Sequence, residues 1–187
     1  MTTEDLNKLR DQVWTTRISR VNAEKRLINK ETFFQGINIY YSCVTIIFSI
    51  LSLNDTENNL SIITLFMTIS LLIAILYLNT QKYLEHAREY RKNYTEIHKL
   101  ESELKYVSEK EDDKISDIEK RYCDLLDSAS NHISYDYYQT VYASRGSYRD
   151  SRWKSVKYKY YFNLLWRFLV GMALVVLPFA LYIICVG

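Results

Sequence analysis

Proline, glycine and cysteine are scarce in this chain: one, four and three among 187 residues. That scarcity excludes a Gly-rich phosphate cradle, a collagen-like repeat and a long flexible linker, because each needs positive-φ or fixed-φ positions at high density. A mostly helical backbone is the expectation. Cys43, Cys123 and Cys185 are widely separated, so they support neither a disulfide framework nor a thiolate metal site and read as small packing residues. Charge is missing locally. Residues 32–54, 58–81 and 168–187 contain no Asp, Glu, Lys or Arg, and each run is about as long as the roughly 20 apolar residues that cross a bilayer. The bulk figures, 25% charged, 48% hydrophobic and a net charge of +2, would suit a soluble domain and conceal this segregation. No cleavable signal peptide is expected, since residues 1–31 are polar and charged ahead of any apolar run.

Topology follows from the basic residues. The link Asn54-Asp55-Thr56-Glu57-Asn58-Asn59 holds no Lys or Arg, whereas residues 1–31 hold Lys8, Arg10, Arg17, Arg20, Lys25, Arg26 and Lys30. The positive-inside rule therefore turns the acidic link outward and leaves the N-terminus and the middle region cytoplasmic. Ahead of the third run come Arg145, Arg149, Arg152, Lys154, Lys157, Lys159 and Arg167, with Asp150 as the one negative partner. This flank is cytoplasmic by the same rule, and the C-terminus ends at the outer face. Trp153, Trp166, Tyr158, Tyr160 and Tyr161 crowd the flank, as amphipathic rings do at headgroup level. Pro178 removes one donor from the third span and should bend it.

The predicted fold is an all-α integral membrane protein: a transmembrane helical hairpin extended by a cytoplasmic amphipathic helical hairpin, plus a C-terminal transmembrane helix. Its parts are an N-terminal amphipathic helix (1–31), the two-span hairpin (32–81), the cytoplasmic hairpin (82–130), a Tyr/basic juxtamembrane segment (131–167) and the third span (168–187). After Gln81, Leu84, Ala87, Tyr90, Tyr94, Ile97, Leu100, Leu104 and Val107 recur at threes and fours, one stripe of an amphipathic helix expected to run on from the second span. The charged break Glu109 to Lys114 precedes a second stripe, Ile115, Ile118, Tyr122, Leu125 and Leu126, which predicts antiparallel packing. Leu6, Leu9, Val13, Trp14, Ile18, Val21 and Ile28 form a third pattern, expected to pack on the hairpin or on a neighbouring subunit.

Within the first span, Asn38, Ser42, Thr45, Ser49 and Ser52 are spaced four, three, four and three, so they share one helical face. Ile39, Val44, Ile46, Ile47, Phe48, Ile50 and Leu51 occupy the opposite face. The second span repeats the pattern in its outer half with Ser61, Thr64 and Thr68. Two readings stand side by side. Small and hydroxyl residues let helices approach and share hydrogen bonds, and a polar face can line a lumen when copies assemble. Asn38 could fix register or ring a pore entrance. The spans carry no ionised residue, which disfavours ion-coupled transport and voltage sensing.

Catalytic signals are weak. His86, His98 and His132 have no i, i+3 or i, i+4 partner imidazole, so no metal site is expected. No nucleophile has a nearby base, and neither an enzyme nor a cofactor is predicted. The basic, aromatic stretch Tyr135 to Arg167 adjoins a span, which favours interfacial anchoring over nucleic-acid binding.

Two segments carry a family resemblance. The run Trp14-Thr15-Thr16-Arg17-Ile18-Ser19-Arg20-Val21-Asn22-Ala23-Glu24-Lys25-Arg26-Leu27 leads into a polar-lined span, an acidic link and a second span, and Tyr83-Leu84-Glu85-His86-Ala87-Arg88-Glu89-Tyr90 follows. Over residues 10–145 this resembles the SLATT family, bacterial two-span effectors of nucleotide-second-messenger and reverse-transcriptase conflict systems. Asn131-His132-Ile133-Ser134-Tyr135-Asp136-Tyr137 is similar to the reverse-transcriptase-associated branch. The resemblance implies a homo-oligomer in the bacterial inner membrane that permeabilises it when a sensor encoded nearby, a reverse transcriptase or a nucleotide-signalling protein, detects phage. Trp14, Arg17, Arg20, Glu24, Arg26, His132 and Tyr135 would then serve assembly or partner contact. Two other classes remain: a non-conducting anchor for a cytoplasmic partner, and a receptor for a small nucleotide, for which no phosphate loop is visible.

Overall fold

A computed structural model describes residues 2–53, 59–128, 134–143 and 153–186. Its elements are the helices α1 (Thr3–Ser52), α2 (Asn59–Thr80), α3 (Tyr83–Leu104), α4 (Asp112–Asp127), α5 (Ser134–Ala143) and α6 (Trp153–Val186), with no strand among the described residues. They form two compact units. One comprises residues 1–28 and 83–160, the other residues 29–82 and 161–187.

In the first unit, α3 and α4 form the expected antiparallel hairpin. Asn93 reaches Leu125 and Ser128, whereas Glu103, later in α3, meets Arg121, earlier in α4. The N-terminal part of α1 packs on this hairpin within the same chain. Leu6, Leu9 and Val13 join Ile97, Leu100, Leu104, Ile115, Ile118 and Tyr122 in one core, and Ala23 and Leu27 meet Ala87 and Tyr90 in a second.

Beyond Val13 the apolar periodicity misidentifies the buried face. Trp14, Ile18 and Val21 are half-buried, while Ser19, Arg20, Asn22 and Glu24 are buried. These polar groups go inside because each finds a partner there, as set out below.

The second unit packs α1 from Asn29, α2, and α6 from Tyr161. Val44, Phe48, Leu60 and Met67 form its core, flanked by Tyr40, Tyr41, Ile63 and Tyr182. Ile39, Ile46, Ile50, Phe66, Ile73, Phe168 and Phe179 are exposed, an apolar surface too extensive for water. Three helices are long and apolar enough to cross a membrane. Pro178 lies inside α6, which continues through it. Proline leaves the carbonyl four residues earlier without its helical donor. Here that carbonyl belongs to Leu174, and the Tyr41 hydroxyl donates to it at 2.8 Å, while the Tyr40 hydroxyl donates to Val175 O at 2.7 Å. Tyr41 thus covers the proline defect where no water is available, and Tyr40 bonds the next carbonyl.

Two expectations need correction. The helix after the second span does not run on from it: α2 ends at Thr80, α3 starts at Tyr83, and Lys82 between them has φ 48°, a left-handed position that a side chain enters at a cost. Cys43 and Cys123 are exposed rather than packed, Cys123 because it falls beside the buried Tyr122 on the outward face of α4. The Tyr/basic segment 131–167 contains α5 and the first turns of α6, which starts at Trp153.

Candidate functional site

Two groups of residues were singled out by the sequence, and each lies within one unit. The polar face of the membrane unit comes first. Asn38, Ser42, Thr45 and Ser52 are half-buried, Ser49, Ser61 and Thr68 are exposed and Thr64 is buried. Most of these hydroxyls bond back onto their own helix. Ser42 donates to Asn38 O, Thr45 to Tyr41 O, Ser49 to Thr45 O and Ser52 to Ser49 O, all at 2.8–2.9 Å. On α2, Thr64 donates to Leu60 O and Thr68 to Thr64 O. A hydroxyl satisfied this way needs no second helix, and it keeps lone pairs for water or a neighbour.

Packing inside the unit uses a neighbouring face of α1. Val44 and Phe48 are the buried residues of this span, so the expected apolar face divides into a packed edge and an exposed remainder, Ile39, Ile46, Ile47, Ile50 and Leu51. Asn38 differs from the hydroxyls. Its Oδ1 is shielded and accepts no hydrogen bond among the described residues, an unfavourable state for an amide at membrane depth.

The second group belongs to the helical module. Arg20 is 1% exposed, and its guanidinium donates to Leu125 O at 3.0 Å and Leu126 O at 3.3 Å. Burial pulls it below its ordinary pKa, partly offset by Tyr122 and Tyr90, yet a guanidinium stays charged. Arg10 does the same for α3, donating to Leu104 O at 3.1 Å and Val107 O at 3.2 Å. Neither α3 nor α4 has a basic residue in its last turn, so α1 supplies the cations that their terminal carbonyls attract.

Acidic partners take the remaining charges. Arg17 lies 2.6 Å from Glu101. The buried Glu24 accepts from Arg91 at 2.6 Å, and hydrogen bonding and charge from Glu24, after burial, raise the Tyr94 phenol above its usual value. Arg26 grips Asp136 with two bonds, Nε to Oδ1 at 2.8 Å and Nη2 to Oδ2 at 3.1 Å, the carboxylate being fully buried. Around it, Asn22 donates to Asp136 O and to Thr140 Oγ1, which also meets Ser19 at 3.1 Å. Helix α5 is thereby fastened to α1. Tyr135 stacks on Tyr160 at 6.0 Å, and Lys159 lies over the Tyr138 ring at 5.5 Å, so the first turns of α6 hold α5 from its other side.

Arg17, Arg20, Glu24, Arg26 and Tyr135 therefore each meet a partner within the helical module. Trp14 is half-buried, and His132 lies outside the described residues. Sequence reasoning gave no role to Asp136, Asn93, Asn22 or Thr140, which are partners in these contacts. For Asp136 a signal existed: it is the one carboxylate between Asp127 and Asp150. No cluster of three metal-ligating side chains occurs among the described residues.

No curated protein and no solved structure matches the chain. The family model described as SMODS and SLOG-associating 2TM effector domain family 5 matches residues 2–184, well beyond the 10–145 over which the resemblance was read. The matched stretch takes in all but the last two residues of α6, and with it both units. The chain belongs to the SMODS and SLOG-associating 2TM effector family.

Proposed function

We propose that this membrane effector of a defence-associated system oligomerises in the bacterial inner membrane and permeabilises it when a partner sensor detects phage. The observation that carries the reading is the polar face of α1, which packing within the unit leaves over. Val44 and Phe48 make the in-chain contacts, whereas the line from Asn38 to Ser52 stays half-buried or exposed. The absence of ionised groups in the spans fits an uncoupled leak rather than active transport. In this reading the N-terminus, α3, α4 and α5 are cytoplasmic and the C-terminus is at the outer face, as the distribution of Lys and Arg favours. The helical module receives the signal, from a reverse transcriptase or a nucleotide-signalling protein encoded nearby.

The test replaces Asn38 and Thr45 by Leu, singly and together, and measures membrane depolarisation in induced cells and ion leak from proteoliposomes. The expected outcome is loss of leak, by roughly tenfold or more, with cross-linked oligomers retained. Loss of the oligomers would assign the stripe to packing. Absence of leak in the unmodified, inserted protein together with its trigger would leave a non-conducting anchor as the function.

A further inference from the structure

A groove of about 490 Å³ lies between the three membrane helices of the second unit. Apart from Ser70 and Tyr41 its wall is hydrocarbon, with Ile37 of α1, Met67 and Leu71 of α2, and Leu174 of α6 among its residues. The Tyr41 hydroxyl at its edge is already spent on Leu174 O. A volume of this size is in the range of ligand sites, about 300–1,000 Å³, and so apolar a wall favours hydrocarbon over water. Along α2 the lining runs from Ile63 to Ala74, about 16 Å at 1.5 Å per residue, close to half of the roughly 30 Å hydrocarbon core.

Charge is placed at one end of it. Lys30 precedes Ile37 by seven residues and Arg167 precedes Leu174 by seven, about 10 Å along α1 and α6 beyond the same end of the groove, and Lys82, two residues past the end of α2, follows Ala74 by eight. Lys82 and Arg167 are exposed and Lys30 is half-buried.

We propose that the groove is a lipid site: it takes one acyl chain of an anionic glycerophospholipid whose phosphate headgroup is met by Lys30, Lys82 and Arg167. Hydrocarbon alone would not choose among lipids, because a chain in the groove and a chain in the bilayer are equally apolar. Selectivity comes from the three cations, each worth about fivefold in favour of an anionic headgroup near a membrane surface. The site stands whether or not the assembled protein conducts, since the polar residues of α1 from Asn38 to Ser52 do not line it.

The experiment uses the full chain in phosphatidylcholine vesicles doped with phosphatidylglycerol that carries a photoactivatable group at the end of one acyl chain. A matched phosphatidylcholine probe is the control, and labelled residues are mapped by mass spectrometry. Labelling is expected at Met67, Leu71 and Leu177 above that of the outward-facing Phe179, and stronger for the anionic probe. Lys30→Gln, Lys82→Gln and Arg167→Gln should each reduce the preference about fivefold. Ala74→Phe, or Leu177→Trp if the first variant fails to insert, should move both probes out of the groove. Groove labelling no higher than at Phe179 would overturn the proposal. So would equal labelling by the two probes, or cross-links from the groove to a second copy in place of lipid.

Discussion

At the scale of the residue, the pair Arg26 and Asp136 shows how a buried charge is tolerated. The carboxylate is fully buried and the guanidinium nearly so, and desolvating two such ions costs several kcal/mol that only close, bidentate geometry offsets. Removing one partner leaves the other charged in a dry site. Asp136→Ala is therefore expected to destabilise the helical module by about 3–5 kcal/mol, read as a lowered thermal midpoint in detergent. The double variant Arg26→Met, Asp136→Leu should recover much of that loss, because no buried charge is left unpaired. Lys99→Ala, which removes an exposed partner of Glu96, should change the midpoint little. If Asp136→Ala were as mild as Lys99→Ala, the α5 attachment would not rest on this pair. Arg26 was legible as an important position only through the family resemblance. Asp136 stood in the segment that resembles the family but was given no role, because charge patterning looks for runs and periodic pairs, whereas this contact joins residues 110 apart in sequence.

At the scale of the element, hydrophobic period predicted where a side chain was apolar and failed where a polar side chain brought its own partner. The stripes of α3 and α4 agree with their buried faces at Ala87, Tyr90, Ile97, Leu100, Leu104, Ile115, Ile118 and Tyr122. Leu84 is exposed, and Asn93, in the stripe's register but polar, is buried because Leu125 O and Ser128 Oγ accept its amide protons. The break at Lys82 escaped notice since the apolar period carries no mark of a left-handed residue. Lys82→Gly should stabilise the α2–α3 junction by about 1 kcal/mol and Lys82→Val should weaken it, because glycine enters φ 48° without the Cβ penalty. Equal stability of the two variants in thermal unfolding would show that the junction carries no strain. The proline in α6 offers a cleaner cycle. Tyr41→Phe removes the donor to Leu174 O, and within a membrane such a bond is worth about 0.6 kcal/mol, at most about 1.7. In a Pro178→Ala background the helix supplies its own donor to that carbonyl. The cost of Tyr41→Phe is expected to shrink toward zero there, and an undiminished cost would mean that Tyr41 acts through packing alone.

At the scale of the whole molecule, the two units are held by different forces and should therefore fail under different conditions. The membrane unit relies on apolar contacts and on hydroxyl-to-carbonyl bonds. The helical module relies on apolar cores crossed by arginine contacts and buried phenols. The segregation of charge made these two environments readable from sequence, but the assignment of partners across the module was not, since it needs the third dimension. Alkaline pH separates the units. Burial raises both Tyr90 and Tyr122 above the ordinary value of 10.0, against smaller opposing effects that include nearby arginines and, for Tyr122, the bond to Thr16. A pKa raised by folding means that the native state favours the neutral phenol. The stabilisation is fully present below pH 10 and is lost as pH rises through the raised values. Guanidinium groups stay charged throughout that window, so the arginine contacts to carboxylates and carbonyls persist while the phenols ionise. With Trp153 and Trp166 replaced by Phe, the half-buried Trp14 becomes the sole tryptophan and reports on the module. Its emission should shift to the red above pH 10. In Tyr90→Phe, Tyr122→Phe protein the shift should move to higher pH, even though loss of the Tyr122 bond to Thr16 lowers stability at neutral pH by about 1 kcal/mol. An alkaline transition at the same pH in both proteins would assign the loss to other groups and remove the buried phenols from the account of how the module holds together.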